Sequence, residues 1–221
     1  MVSQLCAIAA TLLGYWGAIR AAERIRSIHP LIMATAAVWL IWWLAGGDWE
    51  AYRAGGEWIS FWLGPATVAL AVPLAKQMDQ LLRMWRGVLL GVAAGCAVSI
   101  LSVFAVGALL GSNHLLLVSM LSKSVTTPIS VELTKTIGGV PELAAFFTAA
   151  TGMIGMIMAR PLLQLANVRD EWAIGIAVGT SSHAIGTASL HRISPVQTAA
   201  SSVAMIIAGV VTSIYLMPLA Q

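Results

Sequence analysis

The chain has 221 residues, 59% of them hydrophobic and 10% charged, with 12 lysines and arginines against 9 acidic residues. A soluble domain carries about 25% charged residues, so a globule of this size lacks the charge to solvate its surface, and the chain reads as an all-α integral membrane protein. The small basic excess sits mainly in short loops, which fits membrane orientation and argues against nucleic-acid binding.

In chain order, the apolar runs predict about seven transmembrane helices. Residues 2–19 carry no charge and match one bilayer core in length. They lack a basic segment before them and a small-x-small cleavage site after them, so they read as a retained span rather than a signal peptide. Spans at 30–47, 58–75 and 87–111 follow, then an irregular region, then spans at 141–160, 172–190 and 198–220. Pro30 and Pro141 open their runs, where a missing N–H costs little. Cys6 and Cys96 lie inside apolar runs without CxxC spacing and read as plain buried thiols.

Loop charge orients the spans. Arg20, Arg24 and Arg26 mark 20–29 as cytoplasmic, and Lys76, Arg83 and Arg86 do the same for 76–86. Between them, Asp48, Glu50 and Glu57 outnumber Arg53. The positive-inside rule then puts the N-terminus outside and the C-terminus in the cytoplasm. Arg160 and Arg169 ask for a third inner loop, which requires 112–140 to enter the membrane and return as a re-entrant segment. Trp39, Trp42, Trp43, Trp49, Trp58 and Trp62 fall at the expected outer face; Trp16, Trp85 and Trp172 lie beside the inner loops, as aromatic belts do.

The irregular region holds Lys123-Ser124-Val125-Thr126-Thr127-Pro128, a cation and three hydroxyls ending on a helix-breaking proline. A lysine at membrane depth costs about 2.5–3.5 kcal/mol on insertion scales and marks a function or a partner. A second polar run, residues 179–187, interrupts the sixth span with Gly179, Thr180, Ser181, Ser182, His183, Gly186 and Thr187. Gly64-Pro65-Ala66-Thr67 interrupts the third. The interrupted members are the middle ones of two triplets, starting at 30, 58, 87 and at 141, 172, 198, and the orientation makes the triplets antiparallel. This predicts an inverted repeat with broken helices, the arrangement that points to a transporter's binding site. The chain is read as a single transmembrane domain, 1–221, with possible repeat halves 1–111 and 112–221.

Broken helices at Gly64–Pro65, at Pro128 and at Gly179 and Gly186 aim free N–H groups and a partial positive charge at an anion. Lys123 neutralises it, and Ser124, Thr126, Thr127, Thr67, Ser181, Ser182 and Thr187 offer hydroxyls to its oxygens. His183, near its free pKa, is a candidate for substrate contact or for carrying a proton. Plainer readings compete. Membrane serines and threonines often bond their own i−4 carbonyl, Lys123 can snorkel to an interface or pair with Glu132, and a lone histidine can be hydrogen-bonded packing. Gly91, Gly95, Gly152, Gly155, Gly175 and Gly179 read as close-packing points. The histidines lack metal-ligand spacing. No GxSxG, HExxH or P-loop is present, and adjacent Ser182 and His183 are poorly placed as a nucleophile–base pair, so neither an enzyme nor a cofactor is expected.

Four motifs carry a family resemblance: residues 64–74 (Gly64-Pro65-Ala66-Thr67-Val68-Ala69-Leu70-Ala71-Val72-Pro73-Leu74), Lys123 to Ile129, Ile137-Gly138-Gly139-Val140-Pro141, and Gly179 to Thr187. Ser201-Ser202-Val203-Ala204-Met205 adds a weaker one. From about Pro30 to the C-terminus the chain resembles the LrgB/CidB family. The resemblance implies a protein of the bacterial cytoplasmic membrane and one of two functions. The first is a carrier of small monocarboxylates such as pyruvate, glycolate or glycerate, working by alternating access around the two broken spans. The second is an antiholin-like regulator of murein hydrolases and autolysis that acts with a small LrgA/CidA-like membrane partner. It also implies a homodimer or hetero-oligomer. Ala75 stands where the family often has tyrosine, Ser122 where it often has proline, and 188–198 lacks the usual acidic residues.

Overall fold

The structure is a computed structural model that describes residues 2–24, 30–62, 65, 68, 72, 75, 78–191 and 193–220. It is all-helical, with no strand among the described residues. The chain forms two compact units, Met1–Ala66 and Thr67–Gln221.

The first unit holds α1 (Val2–Arg24), α2 (Pro30–Leu44) and α3 (Trp49–Phe61). Asp48 caps α3 by accepting from Ala51 N at 3.2 Å, with Glu50 in the first turn against the positive helix end. The turn before it is closed by Gly46 at φ 64°, a left-handed conformation that glycine adopts freely. Thr11 Oγ1 meets Tyr52 Oη at 3.0 Å and ties α1 to α3. Tyr52 packs on Trp42 and Trp49, and Trp39 stacks on Trp43.

The second unit holds α4 (Met78–Leu109), α5 (His114–Met120), α6 (Thr127–Thr136), α7 (Pro141–Leu165), α8 (Glu171–Leu190) and α9 (Pro195–Leu216), which runs on into a 3₁₀ turn, Met217–Leu219. Its apolar core joins Val88, Val92 and Cys96 of α4 to Val203, Ala204, Ala208 and Val211 of α9. A second cluster joins Val103, Val118, Leu121, Ile137 and Leu216. α8 is the inner helix of this unit: it packs on α4, α7 and α9 and buries Gly175, Val178, Gly179, Thr180, Ser182, His183, Gly186, Thr187 and Leu190. By contrast α4, α7 and α9 turn Leu90, Val98, Leu101, Ile154, Ile157, Val210 and Ile214 outward, the surface a bilayer covers.

Among the described residues, four helical stretches are long and apolar enough to cross a membrane: Ser3–Arg24, Leu82–Leu109, Pro141–Leu165 and Pro195–Leu219. The expected second span is the shorter apolar helix of 15 residues, Pro30–Leu44. The third falls largely outside the described residues. The sixth is α8, whose 20 residues rise about 30 Å. α5 and α6 have 7 and 10 residues, and rises of about 10 and 15 Å leave each far short of a crossing.

Two expectations need correcting. Cys6 is exposed rather than buried; Cys96 is buried as expected. Inside α8 the non-helical residue is His183, at φ 40° and ψ −136°, not Gly179 or Gly186. Gly179 instead lets the backbone of α9 at Ser201 come close, where any added Cβ would collide with the Ser201 carbonyl.

Candidate functional site

The site starts from the break between α5 and α6. Asn113 caps α5 by accepting from Leu116 N at 2.8 Å, and the helix ends after two turns. The chain then makes tight turns through Lys123 N to Met120 O and Val125 N to Ser122 O, each 3.2 Å. Pro128, in the first turn of α6, needs no N–H partner there. The turn is fixed from beneath by hydroxyls. Ser122 Oγ meets Ser130 Oγ and Thr134 Oγ1 at 2.7 Å each, and Thr148 Oγ1 of α7 donates to Ser130 Oγ at 2.8 Å. Ser119 Oγ accepts from Val140 N at 2.8 Å and so pins the end of α5 to the start of α7. Buried hydroxyls that satisfy one another in this way cost little and specify one arrangement.

Held by this cluster, Lys123 turns toward α4. Its Nζ donates to Ser99 Oγ at 3.0 Å, and Ser99 Oγ meets Ser124 Oγ at 2.7 Å. These three residues line a cavity of about 660 Å³ within the second unit. Its floor on α4 is Gly87, Gly91, Gly95 and Ser99, one residue per turn, with Ser102 beyond; Thr151 of α7 and Ala173, Ile176, Ala177, Thr180 and Ser181 of α8 complete it. Among the described residues no acidic side chain lines it. Among the described lining residues Lys123 is the charged one, and an ammonium has donors beyond the one given to Ser99. The Glu132 pairing does not describe it: Glu132 is exposed, and Lys123 is half-buried and donates to Ser99.

The structure thus brings Lys123, Ser124 and Ser181 of the expected set to one cavity. The others stand elsewhere. Thr126 is buried at the N-cap of α6 but makes no side-chain cap, and its Oγ1 has no partner among the described residues. Thr127 is half-buried in the first turn of α6. Ser182 is buried against Gly155 and meets Ser181 Oγ at 3.0 Å. His183 is 1% exposed, with Nε2 2.8 Å from Thr148 O. Thr187 Oγ1 donates to His183 O at 2.8 Å and meets Ser201 Oγ at 2.7 Å. His183 and Thr187 therefore tie α8 to α7 and α9. Gly64 and Thr67 lie outside the described residues; Pro65 is exposed on helical backbone.

Sequence reasoning passed over Ser99, Ser102 and Thr151, and named Thr180 in the second polar run without giving it a role. A signal existed for Ser99: it continues the four-residue spacing of Gly87, Gly91 and Gly95, so it shares their helix face. Among the described residues no group of three or more His, Cys, Asp or Glu is placed to hold a metal ion.

Fold and site together define a multi-pass α-helical membrane protein with a lysine-bearing cavity. The chain belongs to the LrgB-like family, which it matches over residues 11–221. It is 36% identical over 163 residues to the antiholin-like protein LrgB of Bacillus cereus, covering 74% of this chain and 71% of that protein. A Bacillus anthracis protein of the same name matches to the same extent. It is also 31% identical over 206 residues to an uncharacterized protein of Haemophilus influenzae, covering 92% of this chain and 89% of that one. No solved structure matches it.

Proposed function

We propose that the chain is an antiholin-like protein of the bacterial cytoplasmic membrane, which restrains murein hydrolases and autolysis together with a small LrgA-like membrane partner. The carrying observation is the match to the Bacillus proteins that bear the antiholin-like name. The test is a host strain lacking this gene. Loss should raise autolysis and murein hydrolase activity, and the full chain should restore the parental rate when its partner is co-expressed. An unchanged lysis rate in the deletion strain overturns this reading.

One geometric observation favours a second reading, a carrier of small monocarboxylates. An assembly scaffold has little use for an ammonium on the wall of a cavity that has no acid among its described lining residues. Lys123 would neutralise the carboxylate, with Ser99, Ser124 and Ser181 replacing its lost hydration. In this reading the seven spans, the re-entrant 112–140 and an inverted repeat give alternating access around spans 58–75 and 172–190, with the N-terminus outside. Uptake of labelled pyruvate and glycolate into proteoliposomes separates the two readings. Flat uptake by folded protein with its partner present leaves the regulator alone.

A further inference from the structure

We infer that the aromatic cleft of the first unit is a binding site for an organic cation with a trimethylammonium head. Neither reading of the Lys123 cavity is needed for it.

The cleft lies wholly within α1, α2, α3 and the turn at Gly47, and holds about 470 Å³. Trp39, Trp42, Trp43, Trp49, Tyr15 and Tyr52 line it, six of the chain's nine tryptophans and three tyrosines. Two of these rings are held in place by the protein itself. Trp42 Nε1 donates to Asp48 O at 3.1 Å, and Gly47 lies against the indole, where an added Cβ would collide with the ring. Thr11 Oγ1 donates to Ala7 O at 2.9 Å and meets Tyr52 Oη at 3.0 Å. The centroid of the Tyr52 ring is 5.4 Å from that of Trp42 and 5.7 Å from that of Trp49. The polar atoms of Trp42 and Tyr52 are thus engaged within the protein, and what the two rings offer a ligand is their π faces.

Aromatic residues near a bilayer surface ordinarily form a belt, and Trp58, exposed and outside the cleft, fits that description. Two features set the cleft apart. The first is the contrast with the rest of the same helices, which expose Leu12, Leu13, Leu40 and Leu44; an acyl chain is served by those aliphatic side chains and has no need of a ring-lined cleft. The second is charge. No described lining residue is charged, and residues 47–52, which close the cleft, carry Asp48 and Glu50 and no basic residue. Those two carboxylates outweigh the positive end of α3, about half an elementary charge. The negative faces of aromatic rings attract a cation within about 6 Å of a centroid, tryptophan most strongly. A quaternary ammonium asks for no hydrogen bond, which suits walls whose polar atoms are already used. An anion would meet negative faces and a negative rim.

The length of the cleft sets the rest of the ligand. From Trp42 back to Ala34 it follows eight residues of α2, about 12 Å. It passes Val38, which packs on Gly14 of α1 where any side chain would collide. A head among Trp42, Trp49 and Tyr52 leaves room for a short alkyl chain along Val38 and Ala34.

The test is equilibrium binding of labelled hexyltrimethylammonium to the full chain in nanodiscs of phosphatidylethanolamine and phosphatidylglycerol, with empty nanodiscs as the blank. Saturable binding is expected. Choline should displace the label, and dimethylbutanol, the neutral alcohol in which carbon replaces the nitrogen, should not. Trp49→Leu should weaken binding about tenfold, the scale of one desolvated cation–π contact. Trp49→Phe should retain part of the affinity, and Trp58→Leu should leave it unchanged. The choline contrast is read on wild type and does not depend on any variant folding. Adding phosphatidylcholine to the disc separates two sources of the same head: lost binding of the label assigns the site to the lipid headgroup, retained binding to a free amphiphilic cation, and either supports the site. Absence of saturable binding, equal displacement by the neutral alcohol, no loss in a folded Trp49→Leu, or equal loss in Trp49→Leu and Trp58→Leu overturns the inference.

Discussion

Lys123 Nζ rests 3.0 Å from Ser99 Oγ, an ammonium on a break between two short helices donating to the helix face that carries Gly87, Gly91 and Gly95. The pair sets where positive charge enters the cavity, because Ser99 also meets Ser124 Oγ at 2.7 Å. Ser99→Ala removes the acceptor that positions both. On the carrier reading, anion binding should weaken about tenfold; on either reading stability should fall by about 1 kcal/mol. Labelled pyruvate binding and thermal unfolding check the two halves. Unchanged binding shows that Lys123 is positioned without Ser99.

Gly179→Val should separate α8 from α9. The added side chain meets the Ser201 backbone, which cannot swing aside as a flexible side chain does. A destabilisation of about 1–3 kcal/mol is expected. Gly17→Ala is the control. A Cβ there meets nothing within 4 Å, so it should be neutral or stabilising by up to about 1 kcal/mol, the helix propensity of alanine over glycine. Thermal unfolding in detergent measures both, and equal effects would contradict the close α8–α9 approach.

At His183 the usual order of alanine and glycine should reverse. Its φ of 40° with ψ −136° disfavours any residue with a Cβ. Replacing the ring loses its bond to Thr148 O in either variant, so the backbone decides between them. His183→Gly should be more stable than His183→Ala by about 1 kcal/mol. The opposite order in unfolding experiments would place ordinary helix at this position.

Ser130→Ala should strip the hydroxyl cluster of a shared member, since Ser122 and Thr148 both bond it. Leaving their polar atoms short of a partner should cost about 1–3 kcal/mol. On the carrier reading, affinity for pyruvate, measured at a temperature where the variant is fully folded, should stay at the wild-type value, because Ser130 does not line the cavity. An affinity loss would extend the site beneath the turn.

Composition made the class of protein legible, and the break at Lys123 was legible from a cation and a proline inside an apolar chain. The short helices on either side of it follow from the same residues. The membership of the cavity was harder to read. Ser181, Ser202 and Ser213 each bond a carbonyl four residues back, so a hydroxyl in a span carries little information until its partner is known. Thr180 comes to the cavity wall while packing on Gly95, which is remote from it in the chain. The break in α8 was misplaced for a related reason. Glycines suggested it, but Gly179 is used for the close approach to α9, and the irregular residue is the histidine held by Thr148 from another helix.

The most direct measurement is uptake of labelled pyruvate and glycolate into proteoliposomes that hold the full chain with its LrgA-like partner, comparing wild type with Lys123→Ala. On the carrier reading, saturable uptake by wild type that falls at least tenfold in the variant, with both proteins equally folded, is the expected result. Equal uptake by the two proteins, or none by wild type, would show that the Lys123 cavity does not handle the anion.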